Sequence, residues 1–254
     1  MEIDTTKPNS ARIYDYLLGG AHNYPVDQAA AQYLLTVSPG AADGALLFRY
    51  FLHRAVRTLL QSEYTCYIDL ATGLPTEGYI HELVPETVKI IYNDIEPETV
   101  IHARQIVGNR PNILCMQADL RDIDVILQQA GQFFQGERRV GICLVNVSYF
   151  IENDALARVL RKLYDWCAPG SQLAISGLPH PTTEEYRRVL KFYQSVGTVI
   201  YPRTPDELLQ LATPWQVVGE LRPIQAYTQE SLHIESLGVV PLEDDIGYGG
   251  ILSR

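Results

Sequence analysis

The sequence predicts an α/β protein with a doubly wound, largely parallel sheet, and three observations carry that expectation. From residue 64 onward, short β-rich runs alternate with helix-length segments, the pattern of strand–helix–strand units. Several of the runs are apolar on consecutive residues, as strands covered by helices on both faces are. The first four runs each finish on a polar residue: Asp69, Asp94, Asp119 and Asn146.

The elements follow in order. Before residue 64 the pattern is helical. One helix is expected around 10–18 with Ser10 as its cap, and a second around 26–37, with Gly19-Gly20 breaking the first. Leu47, Phe51, Ala55 and Leu59 recur every four residues and mark a long amphipathic helix through about residue 62. Strands are expected at "YTCYIDL" (64–70), "VKIIYND" (88–94), "NILCMQA" (112–118), "RVGICLVNV" (139–147) and "SQLAISG" (171–177). Between them, "PETVIHARQIV" (97–107) opens with Pro in a tolerated first-turn position. "DIDVILQQAG" (122–131) ends on a glycine suited to a C-terminal cap. "NDALARVLRKLYDWCAPG" (153–170) puts Leu156, Leu160, Leu163 and Cys167 on one face and stops at Pro-Gly. Further on, Thr182 with Glu185, and Thr204 with Glu207 around Pro205, fit capping boxes for two more helices. "WQVVGEL" (215–221) and "GYGGILS" (247–253) are expected to close the sheet.

Bulk composition narrows the function. In 254 residues the apolar share is 46% and the charged share 20%, a globular balance without a run long enough to span a bilayer. "MEIDTTKPNS" lacks the basic and apolar parts of a signal peptide. Cys66, Cys115, Cys143 and Cys167 lie far apart without ligand or redox spacing, so reduced thiols and a cytoplasmic location are expected. The formal charge of −10, with no dense Lys/Arg cluster, disfavours nucleic acid as a partner. His53, His81, His102 and His233 are scattered, so no metal site is expected.

The chemistry is concentrated at strand ends. In "YIDLATGLPTEG", Asp69 ends a strand and Gly73 allows close backbone approach. Ala71 and Pro75 stand where a dinucleotide fingerprint needs glycines, and Pro75 has no N–H to offer a phosphate. The turn suits an uncharged or cationic nucleoside ligand better than NAD. In "IIYNDIEPETV", Asp94, with Glu96 as rival, is placed to accept ribose hydroxyls. In "CMQADLRDI", Asp119 can accept an adenine amino hydrogen while Leu120 offers its backbone N–H, and Asn146 faces the same edge from "LVNVSYFIEND".

The order and spacing of these motifs resemble the class I S-adenosylmethionine-dependent methyltransferases. More closely, the chain resembles the actinobacterial-type S-adenosyl methyltransferase family, once listed as a domain of unknown function. The resemblance rests on "ARIYDYLLGGAHNYPVD", "FLHRAVRTLL", "DLATGLPTEG", "NDIEPETVIHAR", "ADLRD", "SYFIENDALARVLRKL" and "APGSQLAIS", and runs to "GYGGILSR". In that family the turn commonly carries Gly where Ala71 stands. The resemblance implies a Rossmann-like seven-stranded sheet of order 3-2-1-4-5-7-6 with the last strand antiparallel. Residues 1–62 would form a helical cover belonging to the same domain as the methyltransferase part, 63–254. It implies S-adenosylmethionine as cofactor and S-adenosylhomocysteine as product. Asp69, Ala71 and Gly73 would then border the methionine end, and Asp94 and Ile95 would hold ribose and adenine. Asp119 and Leu120 would meet the adenine edge, with Asn146 near the sulfonium.

Methyl transfer from a sulfonium needs positioning above all, and a general base only for a hydroxyl or protonated amine acceptor. His22, Tyr24, Tyr149 and His180 are the candidates for that base. In the N-terminal stretch, Arg12 is placed to pair with the cofactor's carboxylate, and a tyrosine such as Tyr16 to stack on adenine. The expected partner is a small-molecule methyl acceptor, with no membrane involved and a homodimer as one possible assembly. Two rival readings stand beside this one: a non-catalytic nucleoside-binding protein, and a nicotinamide-dependent oxidoreductase, against which the missing glycines count.

Overall fold

The computed structural model describes residues 4–76, 79–195, 197–227 and 247–254; Glu77 and Gly78 of the first turn and His233 lie outside them. Among the described residues seven strands form one sheet: β1 (Cys66–Leu70), β2 (Lys89–Asp94), β3 (Ile113–Gln117), β4 (Gly141–Leu144), β5 (Gln172–Gly177), β6 (Gln216–Pro223) and β7 (Tyr248–Ser253). Their order is β3-β2-β1-β4-β5-β7-β6. The first five pair in parallel, while β7 runs antiparallel to both β5 and β6. This is the expected Rossmann-like arrangement, and each strand lies within about two residues of its expected bounds at most ends. The exception is β4, whose ladder stops at Leu144 and releases Asn146 into the following turn.

Nine helices surround the sheet among the described residues: α1 (Ser10–Leu17), α2 (Pro25–Val37), α3 (Ala41–Leu60), α4 (Ile80–Leu83), α5 (Pro97–Val107), α6 (Ile123–Phe133), α7 (Asn153–Trp166), α8 (Glu184–Ser195) and α9 (Pro205–Ala212). Alternation along the strands divides the core in two. Ile68, Ile91, Ile142 and Leu173 face α6 and α7, whereas Tyr67, Ile90, Tyr92 and Cys143 face α3 and α5. The long N-terminal helix α3 is therefore a full layer of the sandwich. It supplies the bulk on the face where the first crossover contributes only the four-residue α4.

Glycines let α3 sit this close. A Cβ at Gly249 of β7 would lie 2.6 Å from the Phe51 ring, and one at Gly247 would lie 2.5 Å from Phe48. The phenyl rings occupy the space that side chains on β7 would need.

Three expected caps shift. Asn9, not Ser10, caps α1, its side chain accepting from the N–H groups of Ala11 and Arg12. Thr183, not Thr182, caps α8 by accepting from Tyr186 N–H at 3.1 Å. Gly131 lies inside α6, and the left-handed turn comes later, at Gln135 and Gly136. The Thr204–Glu207 capping box at α9 is present in both directions.

Candidate cofactor and acceptor site

The site is built outward from the turn after β1. Ala71 takes φ +52° and Gly73 φ +67°, so the backbone makes two left-handed excursions within three residues. The first falls where the resembled family commonly has glycine, and it strains an alanine. The turn is pinned at several points. Thr72 N–H donates to Asn93 O at 2.8 Å, Thr72 Oγ1 donates to Asp69 O at 2.9 Å, and Tyr79 Oη donates to Thr72 O at 2.5 Å.

Asp94, at the end of β2, reaches across to this turn. Its Oδ2 accepts from Gly73 N–H at 2.8 Å and its Oδ1 from Glu96 N–H at 3.0 Å. Two carboxylate oxygens offer about four acceptor positions, so two hydroxyls can still be served. Burial raises the pKa of Asp94, and the backbone N–H donors oppose that rise.

Asp69 is more deeply enclosed, at 4% exposure, and its Oδ2 has no hydrogen-bond partner. Burial lifts its pKa to about 7, against the opposing pull of the nearby Arg49 cation. An unpartnered buried carboxylate oxygen costs free energy unless something fills the need. A cationic group arriving at the turn would do so, which is what the ammonium and sulfonium of S-adenosylmethionine provide. The residues present therefore fit that cofactor.

Further along the edge, Ile95 is a bulky aliphatic side chain left 45% exposed between β2 and α5, a surface on which a flat base can rest. Asp119 follows β3, but its carboxylate is bound by the Arg121 guanidinium at 2.6–2.9 Å, which holds its pKa below the usual value. Leu120 is buried at the head of the turn that follows. After β4, Asn146 is left-handed at φ +63°, and its N–H donates to Ser176 Oγ at 2.7 Å. Its Oδ1 accepts from the Tyr149 hydroxyl. Tyr149 is buried beside the rings of Phe48 and Phe150. Burial raises its pKa well above the ordinary value, so the hydroxyl keeps its proton and acts as a donor.

The other base candidates are elsewhere. His180 is exposed and its Nε2 lies 2.9 Å from Glu207 Oε2, the same carboxylate that caps α9. His22 and Tyr24 stack edge-on against His102 of α5, with ring centroids 6.3 and 6.4 Å away. The two glycines before them have different local causes: Gly19 takes φ +77°, while Asp15 accepts from His22 N–H and Asn23 Nδ2, and a Cβ on Gly20 would lie 2.2 Å from its Oδ1.

Arg12 does not present itself to a ligand as expected. At 1% exposure, its Nε donates to Asp27 at 2.8 Å and its Nη1 to Glu98 at 2.5 Å, while Nη2 donates to the carbonyls of Asp4 and Lys7. Four of the five guanidinium hydrogens serve the protein, and the residue staples α1 and α2 to the first turn of α5. Tyr16 Oη accepts from Gln32 Nε2 of α2 at 3.3 Å. Sequence reading passed over Arg49, Tyr79 and Asp15. Arg49 had left a signal: it falls in register with Ala45, Leu52 and Val56 on the buried stripe of α3.

A family model for S-adenosyl methyltransferases matches residues 1–221, most of the chain. The chain belongs to the S-adenosyl methyltransferase family. Among solved structures, this methyltransferase is similar to a proposed methyltransferase from Thermobifida fusca, at 27% identity and a TM-score of 0.86, with 99% of this chain and 96% of that one covered. A DUF574-family protein from Streptomyces avermitilis shares the fold at 23% identity and TM-score 0.86, each chain covered in full. A S-adenosylmethionine-dependent methyltransferase from Mesorhizobium loti shares it more distantly, at 16% identity and TM-score 0.52, covering 79% of this chain and 96% of that one. No curated protein matches the methyltransferase. Among the described residues, no cluster could hold a metal ion, and no helix is long and apolar enough to cross a membrane.

Proposed function

We propose that this methyltransferase binds S-adenosylmethionine along the carboxyl ends of β1 to β4 and transfers its methyl group in line to a small-molecule acceptor. The observation that carries the reading is the Asp94 carboxylate bound to Gly73 N–H. It sets a hydroxyl-accepting acid against a turn where a nucleoside can approach the backbone. S-adenosylmethionine supplies an electrophilic methyl on a good leaving group. The chain's part is to hold and orient.

Asp94 orders the ribose hydroxyls and Ile95 supports the base. Leu120 offers its N–H to the adenine edge, and Asp119 holds its place there through Arg121. Asp69 meets the cationic end beneath Ala71 and Gly73. Asn146 and Tyr149 border the methyl, and their hydrogen bond fixes both side chains. With Tyr149 protonated and His180 on the surface, the site favours an acceptor that needs little help losing its proton. Alignment at near-attack distance can then supply most of the acceleration.

Isothermal titration with S-adenosylmethionine, S-adenosylhomocysteine and NAD in parallel tests this. Micromolar binding of the first two with NAD silent is the expected result. Binding of NAD alone, or of none of the three, would sink the reading.

A further inference from the structure

The half of the edge beyond β4 is lined by aromatic rings. Phe150 follows Tyr149 with centroids 4.6 Å apart, and the ring of Tyr193, on α8, lies 6.0 Å from Phe150. Phe48 of α3 stands at the inner end, 6.4 Å from Tyr149. At the outer end Phe192 of α8 meets Tyr33 of α2 at 5.8 Å, and Tyr33 is exposed. Backbone bonds fasten α8 to this row. Thr198 N–H donates to Tyr193 O at 2.9 Å, and Tyr201 N–H, three residues later, donates to Tyr149 O at 2.7 Å. The helical cover joins from the other side, where Ser38 Oγ, after α2, donates to Glu185 Oε1 at 2.7 Å.

The phenols here differ in what they hold. Tyr149 donates to Asn146 Oδ1, Tyr14 to Ala45 O at 2.9 Å and Tyr186 to Pro179 O at 2.9 Å. Tyr193 Oη has no hydrogen-bond partner among the described residues, although its side chain is partly buried. Burial pushes its pKa up to about 12, with the nearby Tyr14 phenol adding to the rise, so it stays a donor at neutral pH. Next after burial, Tyr193 is also what raises the pKa of Tyr149, which sets the two hydroxyls near one another.

A wall of rings favours a flat aromatic ligand, through edge and offset contacts that a saturated ring cannot return. A partly buried donor without an acceptor calls for an oxygen on that ligand. The reaction adds a third condition, because Tyr149 keeps its proton and so does not serve as a base. A phenol, at a pKa of about 10, gives up its proton far more readily than an aliphatic alcohol does.

We propose that the methyl acceptor is a flat aromatic molecule bearing a phenolic hydroxyl, and that Tyr193 is a specificity-determining residue that donates to its oxygen. The assignment rests on the S-adenosylmethionine reading above and names the substrate class of the same site. In the transfer the phenol oxygen bonds to the methyl carbon as the carbon–sulfur bond breaks. The electron pair returns to sulfur, and the phenol proton leaves to solvent water. A donor at that oxygen also eases the loss of its proton.

Titration of the full chain with 2-naphthol, in the presence of S-adenosylhomocysteine, tests it, with decahydro-2-naphthol as the saturated counterpart. The wild type is expected to bind 2-naphthol below about 1 mM, and about fivefold or more tightly than the saturated alcohol. Tyr193→Phe is expected to lose about fivefold for 2-naphthol, the size of one neutral hydrogen bond, while keeping its S-adenosylmethionine affinity and its urea midpoint. Incubation with S-adenosylmethionine is expected to yield 2-methoxynaphthalene, more slowly with the variant. Equal binding of the two alcohols, no binding of 2-naphthol, no methylated product, or an unchanged 2-naphthol affinity in the variant would overturn the assignment and leave the cofactor reading standing. A lowered urea midpoint in the variant would overturn it as well, by showing that the fold itself holds the hydroxyl. Failure of the wild type to bind S-adenosylmethionine would strike down the cofactor reading and this assignment with it.

Discussion

The carboxyl edge of the sheet has two halves built from different materials. At β1 and β2 the edge is charged and enclosed: Asp69, Asp94 and Arg49 are all buried around one pinned turn. At β4 and β5 it is neutral: Asn146, Ser148 and Ser176 are linked by hydrogen bonds, flanked by the rings of Tyr149, Phe48 and Phe150. Arg203 braces that second half from behind, donating to the carbonyls of Ser148 and Ile151 and to Asn153 Oδ1. In the proposed reading the first half recognises by charge, which has few solutions and leaves a mark in the sequence. In the same reading the second half recognises by shape, which many side chains can achieve. This is why the residues point to a cofactor and leave the acceptor open.

The comparison can be broken or sharpened by mutation. The largest effect is expected from Arg12→Met, which leaves the buried Asp27 carboxylate without its cation, held only by the N–H groups of Asn9 and Tyr24, and should cost about 3–5 kcal/mol of stability in urea unfolding. A loss below about 1 kcal/mol would show that the cover is not fastened there. Asp69 comes next. Its folded pKa, about 7, is raised above the unfolded value by burial, so its stabilising contribution is complete below about pH 4 and is lost as pH rises through 7. Stability of the ligand-free protein should therefore fall by up to about 1.4 kcal/mol per pH unit in that window, and Asp69→Asn should flatten the slope. S-adenosylmethionine binding should release a proton near pH 7, seen as a buffer-dependent heat.

Asp94→Ala is expected to weaken S-adenosylmethionine binding by about 1–3 kcal/mol, and unchanged affinity in a folded variant would remove Asp94 from the ribose. In the neutral half, Tyr149→Phe should cost about 1 kcal/mol of stability through its bond to Asn146 and leave cofactor affinity as it was. A matching drop in affinity would erase the distinction between the halves. The smallest effect belongs to Ala71→Gly: relief at φ +52°, partly offset by the freer unfolded chain, should stabilise by about 0.5–1 kcal/mol in thermal unfolding.

Sheet and strand ends were legible because they obey strong periodic rules. Consecutive apolar runs and the residues that stop them marked all seven strands, and the four polar strand ends all lie at the same edge. What escaped were choices between neighbours and between partners. Ser10 and Asn9, or Thr182 and Thr183, can each accept from the first helical N–H groups, and sequence alone does not decide between neighbours. Gly131 resembled a helix end because a helical glycine with nothing within 4 Å leaves no other trace. Arg12 was assigned to the ligand because sequence cannot show that Asp27 and Glu98 reach it first, the latter from 86 residues away. Arg49 was overlooked as one charge in an amphipathic helix, although its place on the apolar stripe was the available clue.

The position of β7 bears on how the chain acquires its shape during synthesis. Every other described element is made before β7, yet among the described residues β6 pairs only with β7, while Phe51 of α3 rests on Gly249 of β7 and Phe48 on Gly247 just before it. Until those residues leave the ribosome, β6 has no strand neighbour among the described residues and α3 lacks part of its seat. The nascent chain can assemble β1 to β5 early, but the β6 edge of the sheet waits for β7.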